Sequence, residues 1–375
     1  MKLIWPNPFK KRETATVTAT ATAAAAATRR RWPWQRRQAA GQLAISSSAD
    51  HFIYAQADAA GRLLLCGQVV RGSDPPAAFA RQIHALGLPG QQVCAVLPLA
   101  QAQLLQVEAP AVKADEMKAA ARWRIKDQVE GRLDDTIIDV MWVGDDKPRP
   151  HRQLFVAAAR NAVIRELSER CAAAGLEVTV IDLAETTQRN LHAAQARREG
   201  LADRATAALV QHGEQCLLTV CVGDELYYAR RLDWDAHAAP GAPASPGALA
   251  AAALAAAARP AVALEAMDFI DYGAEPDDTP SRGDDAPRGV VELQRSFDVW
   301  ERSWPDLPLA RLWVQVGEHS PRLAATLTRH LGQPVAVLDI DMTFPELANV
   351  APDAALREAL VPVLGLLLRS ETRRL

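Results

Sequence analysis

The sequence predicts an α/β protein made of two similar domains. Two observations carry this. Three short apolar runs followed by alternating helical and apolar segments occur between residues 43 and 181, and again between 207 and 338. The runs are short and bounded by turn residues, the pattern of strands. A third observation permits it: 375 residues can bury two cores. The duplication is one of architecture, because the letters of the halves do not repeat.

In chain order, residues 1–40 read as a disordered basic extension. They hold the low-complexity Ala/Thr tract Thr14–Thr28, nine basic residues against Glu13, and Trp5, Trp32 and Trp34. Basic and aromatic residues together favour an anionic membrane surface, at about 1 kcal/mol per basic residue near the lipid. A solvated tail is the plainer reading. Threonine is too polar for the core of a secretory signal, and Arg29-Arg30-Arg31 follows at once.

The first domain is expected over 41–200. Leu43–Ile45, Phe52–Ala55 and Leu63–Val70 read as strands, with a turn at Asp58–Gly61. Asp74-Pro75-Pro76 predicts a helix capped by Asp74, with Phe79, Ile83 and Leu86 inward and Gly87 at its end. Val93–Leu97 is the next strand. An inserted strand–helix–strand unit then spans 103–143. Leu104–Val107 stops at Pro110, a helix runs from an Asp115 cap to Gly131, and Ile137–Val143 follows. Met117, Ala121, Ile125 and Val129 form one face of that helix. Trp123 lies off this stripe, either packed under a neighbouring subdomain or set out as a docking anchor. Leu154–Ala158 is a strand, Asn161 caps a helix ending at Gly175, Val178–Ile181 is a strand, and a helix runs from Leu183 to Arg198.

The second domain is expected over 201–375. Ala207–Val210, Gln215–Val222 and Leu226–Ala229 are joined by the tight-turn pairs Gly213-Glu214 and Gly223-Asp224. A mobile Ala/Pro/Gly-rich and acidic insertion occupies 236–289, with a short helix around 263–270. A helix over 290–300, a strand Leu312–Val316, a helix Pro321–Leu331 and a strand Val335–Leu338 follow. The last helix, Asp353–Arg369, is expected on the second domain, with Arg369 near its negative end.

The net charge of −3 argues against a bulk nucleic-acid binder; a lipid or nucleic-acid binder driven by residues 1–40 alone remains as an alternative. The five cysteines, Cys66, Cys94, Cys171, Cys216 and Cys221, form no C-x-x-C pair and read as reduced, mostly buried thiols. No metal-ligand spacing is present. The apolar run Val361–Leu368 is too short to span a membrane. No P-loop, dinucleotide, nucleophile-elbow or zincin motif occurs.

The stretch VEAP…ADEMKAAARWRIKDQV…DDTIIDV, above all Trp123–Asp127 and the later Asp139, resembles the PilM-type actin-like proteins of type IV pilus assembly. It is most similar to the MshI branch, of the mannose-sensitive haemagglutinin (MSHA) pilus. The resemblance implies an actin-like fold, two related domains facing a cleft. It also implies a cytoplasmic protein peripheral to the inner membrane of a Gram-negative bacterium. Its implied partner is the N-terminal tail of a PilN-like bitopic protein, with Trp123, Lys126 and Asp127 as contact candidates. A GspL-like type II secretion component is the related alternative.

Actin-like ATPases hold nucleotide between two turns, each with a metal-organising Asp and a Gly, and a later Gly-Gly turn. Matching this pattern, Ser46 stands at the first Asp position and Ser48 at its Gly. Gln211 stands at the second Asp position, Gly213 is kept, and only Gly317 remains of the glycine pair. The expectation is a vestigial pocket with no ATPase activity and no required cofactor. An ATP-dependent switch is the competing reading, with Asp50 as a substitute carboxylate. His212 reads as a turn histidine.

Overall fold

The computed structural model describes residues 41–88, 92–129, 131–145, 151–213, 215–232, 288–351 and 353–370. The basic extension, almost all of the 236–289 insertion and its short helix lie outside the described residues.

The first half is a five-stranded sheet of β1 (Gln42–Ser47), β2 (His51–Ala57), β3 (Leu63–Val70), β4 (Gln92–Val96) and β8 (Glu177–Asp182), in the order β3-β2-β1-β4-β8. The first three strands are antiparallel, while β1, β4 and β8 are parallel. The second half repeats this plan. It uses β9 (Ala205–His212), β10 (Gln215–Val222), β11 (Glu225–Leu232), β12 (Leu309–Gln315) and β13 (Val335–Val337), in the order β11-β10-β9-β12-β13. Its strand directions repeat too.

The outer face of the first sheet is covered by α1 (Pro76–His84) through Phe79 and Ile83, and by α3 (Asn161–Ala173) through Ile164, Leu167 and Cys171. The outer face of the second is covered by α5 (Arg288–Ser303) through Val290, Leu293 and Trp300, and by α6 (Ser320–Leu331) through Leu327. Two predicted caps differ. Asp74 makes no cap to α1; its carboxylate accepts from Gln82 Nε2 at 2.7 Å, because Pro75 takes the cap position. Asn161 is the first residue of α3, whose cap position is Arg160.

A three-stranded antiparallel sheet forms the insert: β5 (Ala102–Glu108), β6 (Thr136–Trp142) and β7 (Gln153–Arg160), with β7 central. Helix α2 (Met117–Arg124) lays Met117 and Ala121 on it, and Ile125 continues that stripe. The helix is shorter than predicted. Glu116, rather than Asp115, holds the cap position, and the chain proceeds beyond Arg124 in turns, with Ile125 and Val129 N–H bonded four residues back.

Helix α4 (Ala184–Arg198) joins the halves and lies between them; every residue from Ala184 to Gln195 is buried. After the short helices α7 (Ile340–Thr343) and α8 (Leu347–Val350), α9 (Ala354–Leu367) returns to the first half. There it packs its Leu360, Val363 and Leu364 with Ala44, Ala55 and Val96 of the first sheet and Leu191 of α4. This corrects the expected packing on the second domain. Arg369 is likewise no surface partner of the helix dipole; it pairs with the buried Asp182 at 3.1 Å. The physical reason is that α9 is apolar on more than one face, so it fills the space between a sheet and a helix. All five cysteines are free, three of them buried.

Candidate functional site

Two regions gather the residues singled out in the sequence. The first is the cleft between the halves, a cavity of about 940 Å³. The equivalent turns β1–β2 and β9–β10 face into it and bring Ser46, Ser48, Gln211, His212 and Gly213 along one wall system.

Each turn is closed by its own side chains. The Ser48 hydroxyl accepts the N–H groups of Asp50 (3.3 Å) and His51 (3.1 Å). Gln211 Nε2 donates to the Gly213 carbonyl at 2.9 Å, with Gly213 at φ +64°. His212 Nε2 lies 3.0 Å from Gln188 Oε1, an acceptor, so that nitrogen carries the proton. Burial, helped by the Arg231 charge, pushes the His212 pKa down to about 4. His212 is thus a fixed neutral wall residue, more constrained than a solvated turn histidine. Asp50 pairs with Arg71 at 2.9 Å, so it is engaged beside the turn.

Gly317, at φ +62°, closes a third turn. The N–H of Val316 donates to Ser320 Oγ (2.8 Å), and that of Gly317 to Gln315 Oε1 (3.4 Å). A Cβ added at Gly317 would lie 3.0 Å from Glu358 Oε2. Glu358, on α9, lines the cleft together with Ala355, Ala359 and Pro362. Sequence reading missed these residues, having placed the helix on the other domain. The available signal was a glutamate and a proline four residues apart in a largely apolar helical run. Among the described residues, no group of three or more His, Cys, Asp or Glu is placed to hold a metal ion.

The second region is the outer face of the insert. Trp123 is 70% exposed there, which overturns the reading that it packs under a subdomain. The reason is its position: α2 spends its stripe on β6 and β7, leaving Trp123 on the opposite side. Lys126 Nζ lies 6.0 Å from the centre of the Trp123 ring, and Lys126 and Asp127 are exposed. Arg122 fastens the helix from within, donating to the Thr136 carbonyl at 3.1 Å and to that of Leu133. Asp139 on β6 faces Lys118 at 3.6 Å; burial raises its pKa and Lys118 opposes the rise.

The insert also locks the halves together. Gly144 N–H donates to the Leu226 carbonyl (2.8 Å), and Arg231 on β11 donates to the Ala102 carbonyl (2.6 Å) and to Glu185 (3.0 Å). Gly144 must be glycine: at φ +70°, a Cβ would lie 2.5 Å from the Tyr227 ring.

No protein-family model matches the sequence, and no curated protein matches it. Solved structures do. A chain described as belonging to a PilM–PilN type IV pilus biogenesis complex aligns over 88% of this chain and 98% of its own, with a TM-score of 0.60 at 19% identity. The cytoplasmic domain of EpsL, an inner-membrane component of the type II secretion system of Vibrio cholerae, aligns over 52% and 71%, with a TM-score of 0.38 at 15% identity. A Bacteroides thetaiotaomicron protein with an actin-like ATPase fold aligns over 82% and 95%, with a TM-score of 0.43 at 10% identity. The fold is actin-like and similar to that of the PilM–PilN chain, and it carries an inserted three-stranded subdomain. Among the described residues, no helix is long and apolar enough to cross a membrane.

Proposed function

We propose that this chain is a non-catalytic scaffold of a type IV pilus assembly machine. In this reading it sits in the cytoplasm against the inner membrane and holds the N-terminal tail of a PilN-like bitopic partner. The observation that carries the proposal is the likeness in fold to the PilM–PilN chain, which spans nearly all of that chain. The exposed Trp123 beside Lys126 supports it, because an aromatic left in water on a rigid subdomain is a ready anchor. The Trp123–Asp127 run and Asp139 favour the MSHA system and its MshI branch. Ser46 and Gln211 at the metal-organising positions support the absence of catalysis, since neither can offset a metal's charge.

Titrating the full-length protein with the cytoplasmic tail peptide of a PilN-like protein tests the reading. Trp123→Ala should weaken binding by roughly 2 kcal/mol, as loss of an aromatic hot spot does. Unchanged affinity would remove Trp123 from the site, and no affinity in the parent protein would remove the scaffold reading. Phosphate release from ATP and magnesium should stay at background. Turnover that Gly213→Trp abolishes would favour the ATP-dependent switch instead.

A further inference from the structure

We propose that the cleft between the halves is a site for an organic cation, an ammonium or guanidinium group carried on an apolar body. The inference rests on the lining of the cleft and stands apart from the scaffold reading.

Glu358 is the one carboxylate among the described lining residues, and no lysine or arginine lines the cavity with it. Its carboxylate makes no hydrogen bond or ion pair among the described residues. The same residue offers a second acceptor. Pro362 sits four positions later inside α9 and has no N–H, so the helix gives the Glu358 carbonyl no i→i−4 donor. Pro362 lines the same cavity. The Glu358 carboxylate beside the cavity is therefore open to a donor, and its carbonyl lacks the ordinary helical one; an ammonium or guanidinium group supplies N–H groups to such acceptors.

Several donors at the turns around the cleft are already used within the chain. Gln211 donates to Gly213, His212 to Gln188, and the Val316 and Gly317 N–H groups to Ser320 and Gln315. A phosphate would meet the Glu358 charge with no cation to offset it. The remaining wall includes Ile53, Leu99, Ala355 and Ala359, apolar surface that strengthens a buried charge pair and receives an apolar body.

Calorimetric titration of the full-length protein tests this with phenethylamine, its near-isosteric anion 3-phenylpropionate, and ATP with magnesium. The amine should bind and the two anions should not. Glu358→Gln should weaken the amine at least about tenfold, the scale of a charged hydrogen bond, with an unchanged melting temperature. Ala355→Trp, at an exposed lining position one helical turn before Glu358, should weaken binding by crowding the space beside the carboxylate without removing the charge. Spermidine and a blocked arginine-bearing tetrapeptide then separate the sources: tighter binding of the first assigns the site to a free amine, of the second to a protein segment. Equal amine affinity in parent and Glu358→Gln protein would overturn the proposal. So would anion binding as tight as the amine's, or no amine binding at millimolar concentration. PilN-tail affinity should be indifferent to both cleft variants, so the scaffold reading and this one fail separately.

Discussion

Helices α2 and α4 solve opposite problems. Helix α2 buries one stripe and leaves Trp123 70% exposed on its far side. Helix α4 buries every residue from Ala184 to Gln195, including Glu185, Gln188, Asn190 and His192. The first lies outside a three-stranded sheet; the second lies between two halves and against α9. A helix enclosed on all sides must partner its polar groups, and α4 does so outward. Gln188 Nε2 reaches the Ala208 and Leu217 carbonyls and Thr219 Oγ1, Asn190 Nδ2 reaches the Gly365 carbonyl, and His192 meets Thr206 at 2.7 Å. Polar residues along its whole length fasten the buried helix in register, whereas the exposed one is held by its apolar stripe and, among its polar side chains, by Arg122 and the Lys118–Asp139 pair.

The sharpest way to break this contrast is at the entry to α4. Asp182 accepts from the Leu183 N–H and from Arg369 Nε, and also from Thr186 Oγ1. Asp182→Ala leaves Arg369 buried without its carboxylate and should cost about 3–5 kcal/mol in urea unfolding. A loss of less than about 1 kcal/mol, the value of a surface pair, would mean that the pair contributes little to holding α9 on the first half.

Next comes the crossing of α4 and α9. A Cβ at Gly365 would lie 2.2 Å from the Thr187 carbonyl oxygen. Gly365→Ala should cost about 1–3 kcal/mol, the range for overpacking. A calorimetric melt at the parent temperature would show that the crossing is loose.

The buried histidines give a dependence on pH. Burial lowers the pKa of His192 to about 3 and that of His212 to about 4. Their folded values lie below the unfolded one, so the unfolded chain takes up protons first as pH falls. Their contribution is full above about pH 6.5 and drains toward the folded values, by about 1.4 kcal/mol per pH unit for each histidine. Unfolding midpoints should drop between pH 6.5 and 4.5, and His192→Gln should flatten part of that slope. A variant with the parent's slope would take His192 out of the account.

The smallest effect belongs to α2. Trp123→Ala should change stability by no more than about 0.5 kcal/mol, as exposed positions do. A large drop in melting temperature would make Trp123 structural after all.

By itself the sequence determined the repeated order of strands and helices, since alternation and turn residues are local signals. It also determined the inward stripe of α2, because Met117, Ala121 and Ile125 recur every four residues. It placed Ser46, Ser48, Gln211 and Gly213 at equivalent turns through the resemblance, and the fold brings those turns to one cleft. Helix α4 was legible as a helix but not as a buried one. Its residues Ala-Glu-Thr-Thr-Gln-Arg-Asn-Leu-His show no stripe, because a helix enclosed on every side needs none. The chain could not say which half α9 would join, as its apolar residues suit either. Only the tertiary structure decided that, and with it the Asp182–Arg369 pair and the entry of Glu358 into the cleft. These contacts join residues more than a hundred positions apart, where no local pattern records a partner; packing alone selects it.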